Sequence, residues 1–182
     1  MGSSSTDAEI IARVLDGDTE AFGILVDRYQ AECAAFAKHM TGNWDDAADV
    51  VQESLVRAFK SLRRCRDRDR FKGWLFRIVS NQCKTHLMRR RTRLVEPLGA
   101  AAAVATDHTP EAAVEADELR RQVRGALLEL PPDQREALLL KYVNGLSLPE
   151  MSEVLGTSVP ALKMRLLRAR GGLRALLARV MP

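Results

Sequence analysis

The chain of 182 residues is poor in aromatic residues, at 5%, and no segment alternates apolar with polar residues as a half-buried strand would. An aromatic-rich β-sandwich is therefore excluded. Glycine and proline are also few, 11 and 7, so the chain is no low-complexity polymer. Its three cysteines, Cys33, Cys65 and Cys83, are scattered and odd in number. They form no disulfide framework and fit a reducing cytoplasm, where the protein is expected to reside. No charged-then-apolar leader opens the sequence, so secretion is not expected. The longest uncharged apolar run, Leu98–Ala105, falls far short of the about 20 residues a bilayer requires, so no membrane insertion is expected. Metal-ligand spacing is lacking as well. Cys83-x-x-His86 is one pair of ligands, and two ligands make no site. No metal, no cofactor and no catalytic residue is expected, which argues against an enzyme.

Charge is present in quantity but unevenly placed. The net charge is +4. Arg63–Arg93 alone carries +10 and Lys163–Arg179 carries +6, while the remainder carries −12. Two concentrated basic blocks on an acidic chain point to contact with polyanions at two places.

The apolar spacing predicts an all-α protein in two small helical domains joined by a flexible linker. Residues 1–6 read as a disordered tail, although Thr6-x-x-Glu9 is also a capping box that opens the first helix. Further helices are expected over Asp18–Met40, Asp45–Leu62 and Phe71–Arg90, giving a first domain over 7–93. Residues 94–110 have little to bury and read as the linker. The second domain, 111–182, opens at the Thr109-Pro110 helix start and continues with helices over Glu111–Leu130, Asp133–Val143, Ser147–Leu155 and from Ser158 to near the end.

Ser147-x-x-Glu150 is a second capping box, Gly156 ends the short helix, and Ser158 caps the long one that follows. This is the layout of a DNA-binding helix-turn-helix. Leu162, Leu166, Ala169, Leu173 and Leu176 recur at helical spacing and face the core. Pro160, Ala161, Lys163, Met164, Arg165 and Arg168 are then the residues offered to base edges and phosphates, beside the cap Ser158.

In the first domain the loop Arg64–Phe71 is dense in guanidinium groups, with Arg64, Arg66 and Arg68 among them. It leads into a helix bearing Lys72, Trp74, Arg77, Asn81 and Lys84. A basic loop beside a basic helix suits a phosphate backbone and a splayed base. Trp74 lies at the edge of the apolar stripe, where a core role competes with stacking on a base. On the Asp45–Leu62 helix the expected core face is Ala48, Val51, Leu55, Phe59 and Leu62. The expected opposite face carries Asp46, Asp49 and Glu53 beside an exposed Val50. Such an acidic stripe suits a basic protein partner.

Five stretches in order resemble the extracytoplasmic-function sigma factors of the sigma-70 family. They are Asp45-Asp-Ala-Ala-Asp-Val-Val-Gln-Glu-Ser-Leu-Val-Arg-Ala-Phe59, Phe71-Lys-Gly-Trp-Leu-Phe-Arg-Ile-Val-Ser-Asn81, Leu130-Pro-Pro-Asp-Gln-Arg-Glu136, Gly145-Leu-Ser-Leu-Pro-Glu150 and Leu166-Leu-Arg-Ala-Arg170. The resemblance implies a region 2 domain and a region 4 domain. Region 2 would bind the clamp helices of core RNA polymerase through Asp46, Asp49, Val50, Gln52 and Glu53. It would melt the −10 element with the Arg64–Phe71 loop and the following helix. Region 4 would read the −35 element of promoter DNA through the helix starting at Ser158. An anti-sigma factor is implied by family habit. Thr85, Met151-Ser152 and Val159-Pro-Ala-Leu-Lys-Met164 depart from the family pattern, partly at base-reading positions, so the target promoter is not carried over. The expected function is an alternative transcription initiation factor. The competing reading is a two-domain helix-turn-helix regulator acting without polymerase, which would not need the acidic face.

Overall fold

The structure is a computed structural model that describes residues 5–95 and 114–180. The expected linker therefore lies almost wholly outside the described residues, as do the first four residues of the expected tail and the helix start at Thr109-Pro110. Among the described residues every regular element is helical.

The first half contains α1 (Asp7–Leu15), α2 (Phe22–Thr41), α3 (Trp44–Ser61) and α4 (Phe71–Val95). Thr6 and Glu9 form the expected reciprocal cap of α1. Asp7 then accepts from the Arg28 guanidinium and the Tyr29 hydroxyl, tying α1 to α2, while the Ser5 carbonyl accepts from Arg28 at 2.9 Å. Ser5 and Thr6 are thus held, and the expected tail is shorter at this end. Gly42 ends α2 at φ 96, a left-handed conformation that disfavours a side chain, and Asn43 caps α3 by accepting from the Asp46 amide at 2.8 Å. Helices α2, α3 and α4 pack on one another around Leu25, Phe36, Met40, Phe71, Leu75 and Phe76, all buried. Each such apolar side chain contributes roughly 1.5–3 kcal/mol. Phe36 meets Phe76 edge-on at 5.6 Å. Helix α4 runs on through Leu94 and Val95, which the sequence pattern assigned to the linker.

The second half contains α5 (Val114–Glu129), α6 (Pro132–Leu138), α7 (Leu148–Leu155) and α8 (Val159–Val180). The helix expected over Asp133–Val143 is α6 followed by one wider π turn, Leu139–Val143, that leaves Tyr142 and Val143 exposed. Helices α5, α6 and α7 all pack on α8, and the buried Leu162, Leu166 and Ala169 receive them as the spacing predicted.

The two halves meet along a continuous seam. Helix α4 packs against α7, and α2 against α5, α6 and the π turn. At its centre lies Arg135, 6% exposed. Its guanidinium donates to the carbonyls of Leu127, Leu128 and Leu130 in its own half and, at 2.5 Å, to that of Met40 in the other.

Candidate nucleic-acid interface

The basic loop is built by two short 3-10 turns, Leu62–Arg64 and Arg68–Arg70, anchored by the buried Leu62 and Cys65. The anchors face inward, so Arg64, Arg66 and Arg68 are exposed, and none is held in an ion pair among the described residues. Trp74 is half-buried, tilted against Phe71 at 5.8 Å, and it lines a groove of about 120 Å³ with Cys65, Arg66, Arg70 and Arg77. It therefore serves the core with one face and the groove with the other. Arg77 and Asn81 are exposed on α4. Lys72 is ion-paired with Glu32 at 2.8 Å. Lys84 is engaged across the seam, 3.0 Å from the buried carboxylate of Glu136, which also accepts from the Ser80 hydroxyl. Among these candidates the structure leaves the arginines, Asn81 and the edge of Trp74 accessible on this side.

The expected face of α3 is rotated. Val50 is 3% exposed, not exposed, and Ala48 is exposed, not core. The buried row is Ala47, Val50, Val51, Ser54 and Ala58. Helix α3 lies against both α2 and α4, and the small residues of this row permit close approach on two sides. Ser54 satisfies its hydroxyl on the Val50 carbonyl at 2.6 Å. Phe59 is 40% exposed in consequence, although it touches Phe22 edge-on at 5.2 Å. Asp46 is turned into the α3–α4 seam, where Asn43, His86 and Arg90 donate to it at 2.7, 3.2 and 3.4 Å. Burial pushes its carboxyl upward, but these three donors outweigh it and hold the acid below its ordinary value. Asp49, Gln52 and Glu53 are exposed as expected. Glu53 is held below the ordinary carboxylate range by hydrogen bonds from Gln82 and then Arg57. Val56, 46% exposed, and Phe59 continue this row and were not among the expected contact residues. Their spacing from Glu53 and Gln52 was the available signal.

The helix-turn-helix has the expected form. Ser147 and Glu150 cap α7 reciprocally, Gly156 turns at φ 60, and the Ser158 hydroxyl accepts from the Ala161 amide at 3.4 Å. Pro160, Ala161, Lys163, Met164 and Arg168 are exposed on one side of α8. Arg165 is not free as expected. It is half-buried and 3.6 Å from Asp133 of α6, because its position borders the Leu162/Leu166 stripe and reaches back over the bundle. Leu167, 54% exposed, is an apolar neighbour of this row that the pattern did not single out.

No group of His, Cys, Asp and Glu among the described residues could hold a metal ion. Cys83 is buried, and burial pushes its thiol up to about 12. His86 faces Asp46 instead. No helix among the described residues is long and apolar enough to cross a membrane.

Comparison with known proteins identifies the family of both halves. Residues 25–93 match Sigma-70 region 2, and residues 120–171 match Sigma-70, region 4. The chain is 31% identical over 179 residues to the ECF RNA polymerase sigma-E factor of Haemophilus influenzae, covering 93% of this chain and 94% of that one. It is 32% identical to the sigma-E factor of Salmonella typhimurium, covering 93% of each. Among solved structures, CnrH in complex with the cytosolic domain of CnrY is similar at a TM-score of 0.72 and 34% identity, over 96% of this chain and 99% of that one. The sigma factor RpoE of Bartonella quintana, in complex with the anti-sigma factor NepR, is similar at 0.69 and 27%, over 86% and 96%.

Proposed function

This chain belongs to the extracytoplasmic-function sigma factors of the sigma-70 family, a family of RNA polymerase-associated initiation factors, and from that premise we propose how its surfaces divide the work. Membership sets aside the regulator that acts without polymerase. Helix α3 docks on core polymerase through Asp49, Gln52 and Glu53, with Val56 and Phe59 supplying apolar contact beside the charges. The complementary sign speeds encounter and fixes register.

The loop bearing Arg64, Arg66 and Arg68, with Arg77, Asn81 and Trp74, takes the separated strand at the −10 element. Opening DNA in this way is binding work: the groove holds an unstacked base, at a cost of a few kcal/mol. Helix α8 enters the major groove at the −35 element. Ser158 and the helix start lie toward a phosphate, and Lys163, Met164 and Arg168 lie toward the bases.

The observation that carries this reading is the exposed row Pro160, Ala161, Lys163, Met164 and Arg168 behind a capped start, opposite the buried Leu162, Leu166 and Ala169. By likeness to RpoE of Bartonella quintana, the chain is also held by an anti-sigma factor. The test is reconstitution with core polymerase and transcription from a promoter library. Initiation at a restricted set of promoters sharing two spaced elements is expected. Transcription no different from that of core polymerase alone overturns the reading.

A further inference from the structure

The side chains of α8 restrict which bases it can read. Every residue from Val159 to Val180 is aliphatic, Met, Gly, Pro, Lys or Arg. The helix therefore presents no side-chain amide, hydroxyl or carboxylate. Ser158, just ahead of it, commits its hydroxyl oxygen to the Ala161 amide. In the major groove adenine is paired by the amide of Asn or Gln, and the cytosine amine by a carboxylate. Helix α8 offers neither. Its cations suit guanine or phosphate, and its apolar groups suit the thymine methyl.

The apolar groups hold the middle of the exposed face. At 3.6 residues per turn, Met164 stands nearly opposite the midpoint of the buried Leu162, Leu166 and Ala169. Pro160 and Gly171, both exposed, lie in line with it. Leu167 and Arg168 flank that line on its two sides, and Lys163 lies beyond Leu167. Met164 is 49% and Leu167 54% exposed, so apolar surface on both is open to a partner. They are about 4.5 Å apart along the helix axis, against about 3.4 Å between stacked bases. Two neighbouring base pairs are within their joint reach.

We propose that Met164 and Leu167 read two adjacent T·A pairs of the −35 element through the thymine 5-methyl groups, so that this chain selects thymine by apolar contact. Arg168 and Lys163, on the flanks, take guanine or phosphate on either side of those pairs. Adenine and cytosine have no direct partner on α8 and enter the element only as complements. Met164 and Pro160 belong to the run that departs from the family pattern, so this selectivity is the chain's own. The inference rests on the assignment of α8 to the −35 element.

The test uses the full chain bound to core polymerase and the promoters it selects from a library. Duplexes carrying the selected −35 element are remade with deoxyuridine for thymidine, which removes only the methyl, and compete for the complex. Each substitution under Met164 or Leu167 is expected to weaken binding about fourfold, and both together roughly fifteenfold, as for loss of one and two buried methyl-sized groups. At the same positions 5-methylcytosine is expected to bind about fourfold better than cytosine. Met164→Ala and Leu167→Ala are each expected to lose the deoxyuridine effect at one of the two pairs, with unchanged helicity by circular dichroism, since both side chains are exposed. A selected element without adjacent T·A pairs, or equal binding of thymidine and deoxyuridine elements, overturns the methyl reading and leaves α8 at the −35 element. Variants that keep the parent's full preference for thymidine overturn the choice of Met164 and Leu167. A library that yields promoters with no upstream element removes the −35 assignment itself, and this inference with it.

Discussion

Arg168 is the residue at which base reading is most directly tested. It stands on the exposed row of α8 with no ion pair among the described residues, and its neighbour Ala169 faces the core. Arg168→Ala is expected to weaken promoter binding with little loss of fold. Contact with phosphate alone would give a similar loss on every duplex and a salt slope lower by about one unit. Reading a guanine would give a loss of about 1–3 kcal/mol confined to one base position. Binding isotherms on duplexes with single −35 substitutions, at two salt concentrations, separate the two, and unchanged binding everywhere removes α8 as the reading head. Asp46 makes a different prediction. Its carboxyl is held below the ordinary 3.8, so the charge stabilises the fold fully above that value and the contribution fades as pH falls through the folded value. Asp46→Asn is expected to lower unfolding free energy by about 1 kcal/mol near neutrality. Denaturant titrations across pH should show the gap from the parent closing below 3.8.

At the scale of elements, α3 and the loop after it carry separable tasks. Reversing Asp49 and Glu53 to Lys is expected to weaken affinity for core polymerase at least tenfold, because a charge pair across an interface is worth about 1.5 kcal/mol or more when close. Thermal stability should change little, since both side chains are exposed. Undiminished affinity would remove this face from the interface. Replacing Arg64, Arg66 and Arg68 with Ala is expected to impair strand opening more than polymerase binding, read by permanganate footprinting of melted bases against a pull-down. Equal footprints in variant and parent would leave the loop as solvated charge.

Element scale is also where the sequence was most legible. The two capping boxes, the Gly156 boundary and the Leu162/Leu166/Ala169 stripe depend on neighbours within a turn or two, and all appear in the fold. The rotation of α3 was hidden because Ala47 and Ala58 are too small, and Ser54 too polar, to announce a buried row. They are buried by what α2 and α4 bring to them. Arg165 and Lys84 were read as free for the same reason, since Asp133 and Glu136 are distant in sequence.

At the scale of the whole molecule, Arg135 is the joint. Its guanidinium serves four carbonyls, one in the opposite half, and burial alone pulls its proton affinity down. Arg135→Met keeps the bulk and strands those carbonyls. With charged hydrogen bonds worth about 1.5–3 kcal/mol each and partial relaxation, the variant is expected to lose roughly 3–5 kcal/mol. Calorimetry should show the single unfolding transition splitting or broadening, and a sharp transition at the parent's temperature would show that the joint is not needed. The contact between Ser80 and Glu136, separated by 56 residues, also imposes an order in time. A ribosome adding about 5–20 residues per second makes Ser80 some 3–11 s before Glu136 exists to meet it. For that interval a nascent chain carries α4 with nothing from its own second half packed against it. A newly made copy therefore completes its seam between the halves only as translation ends.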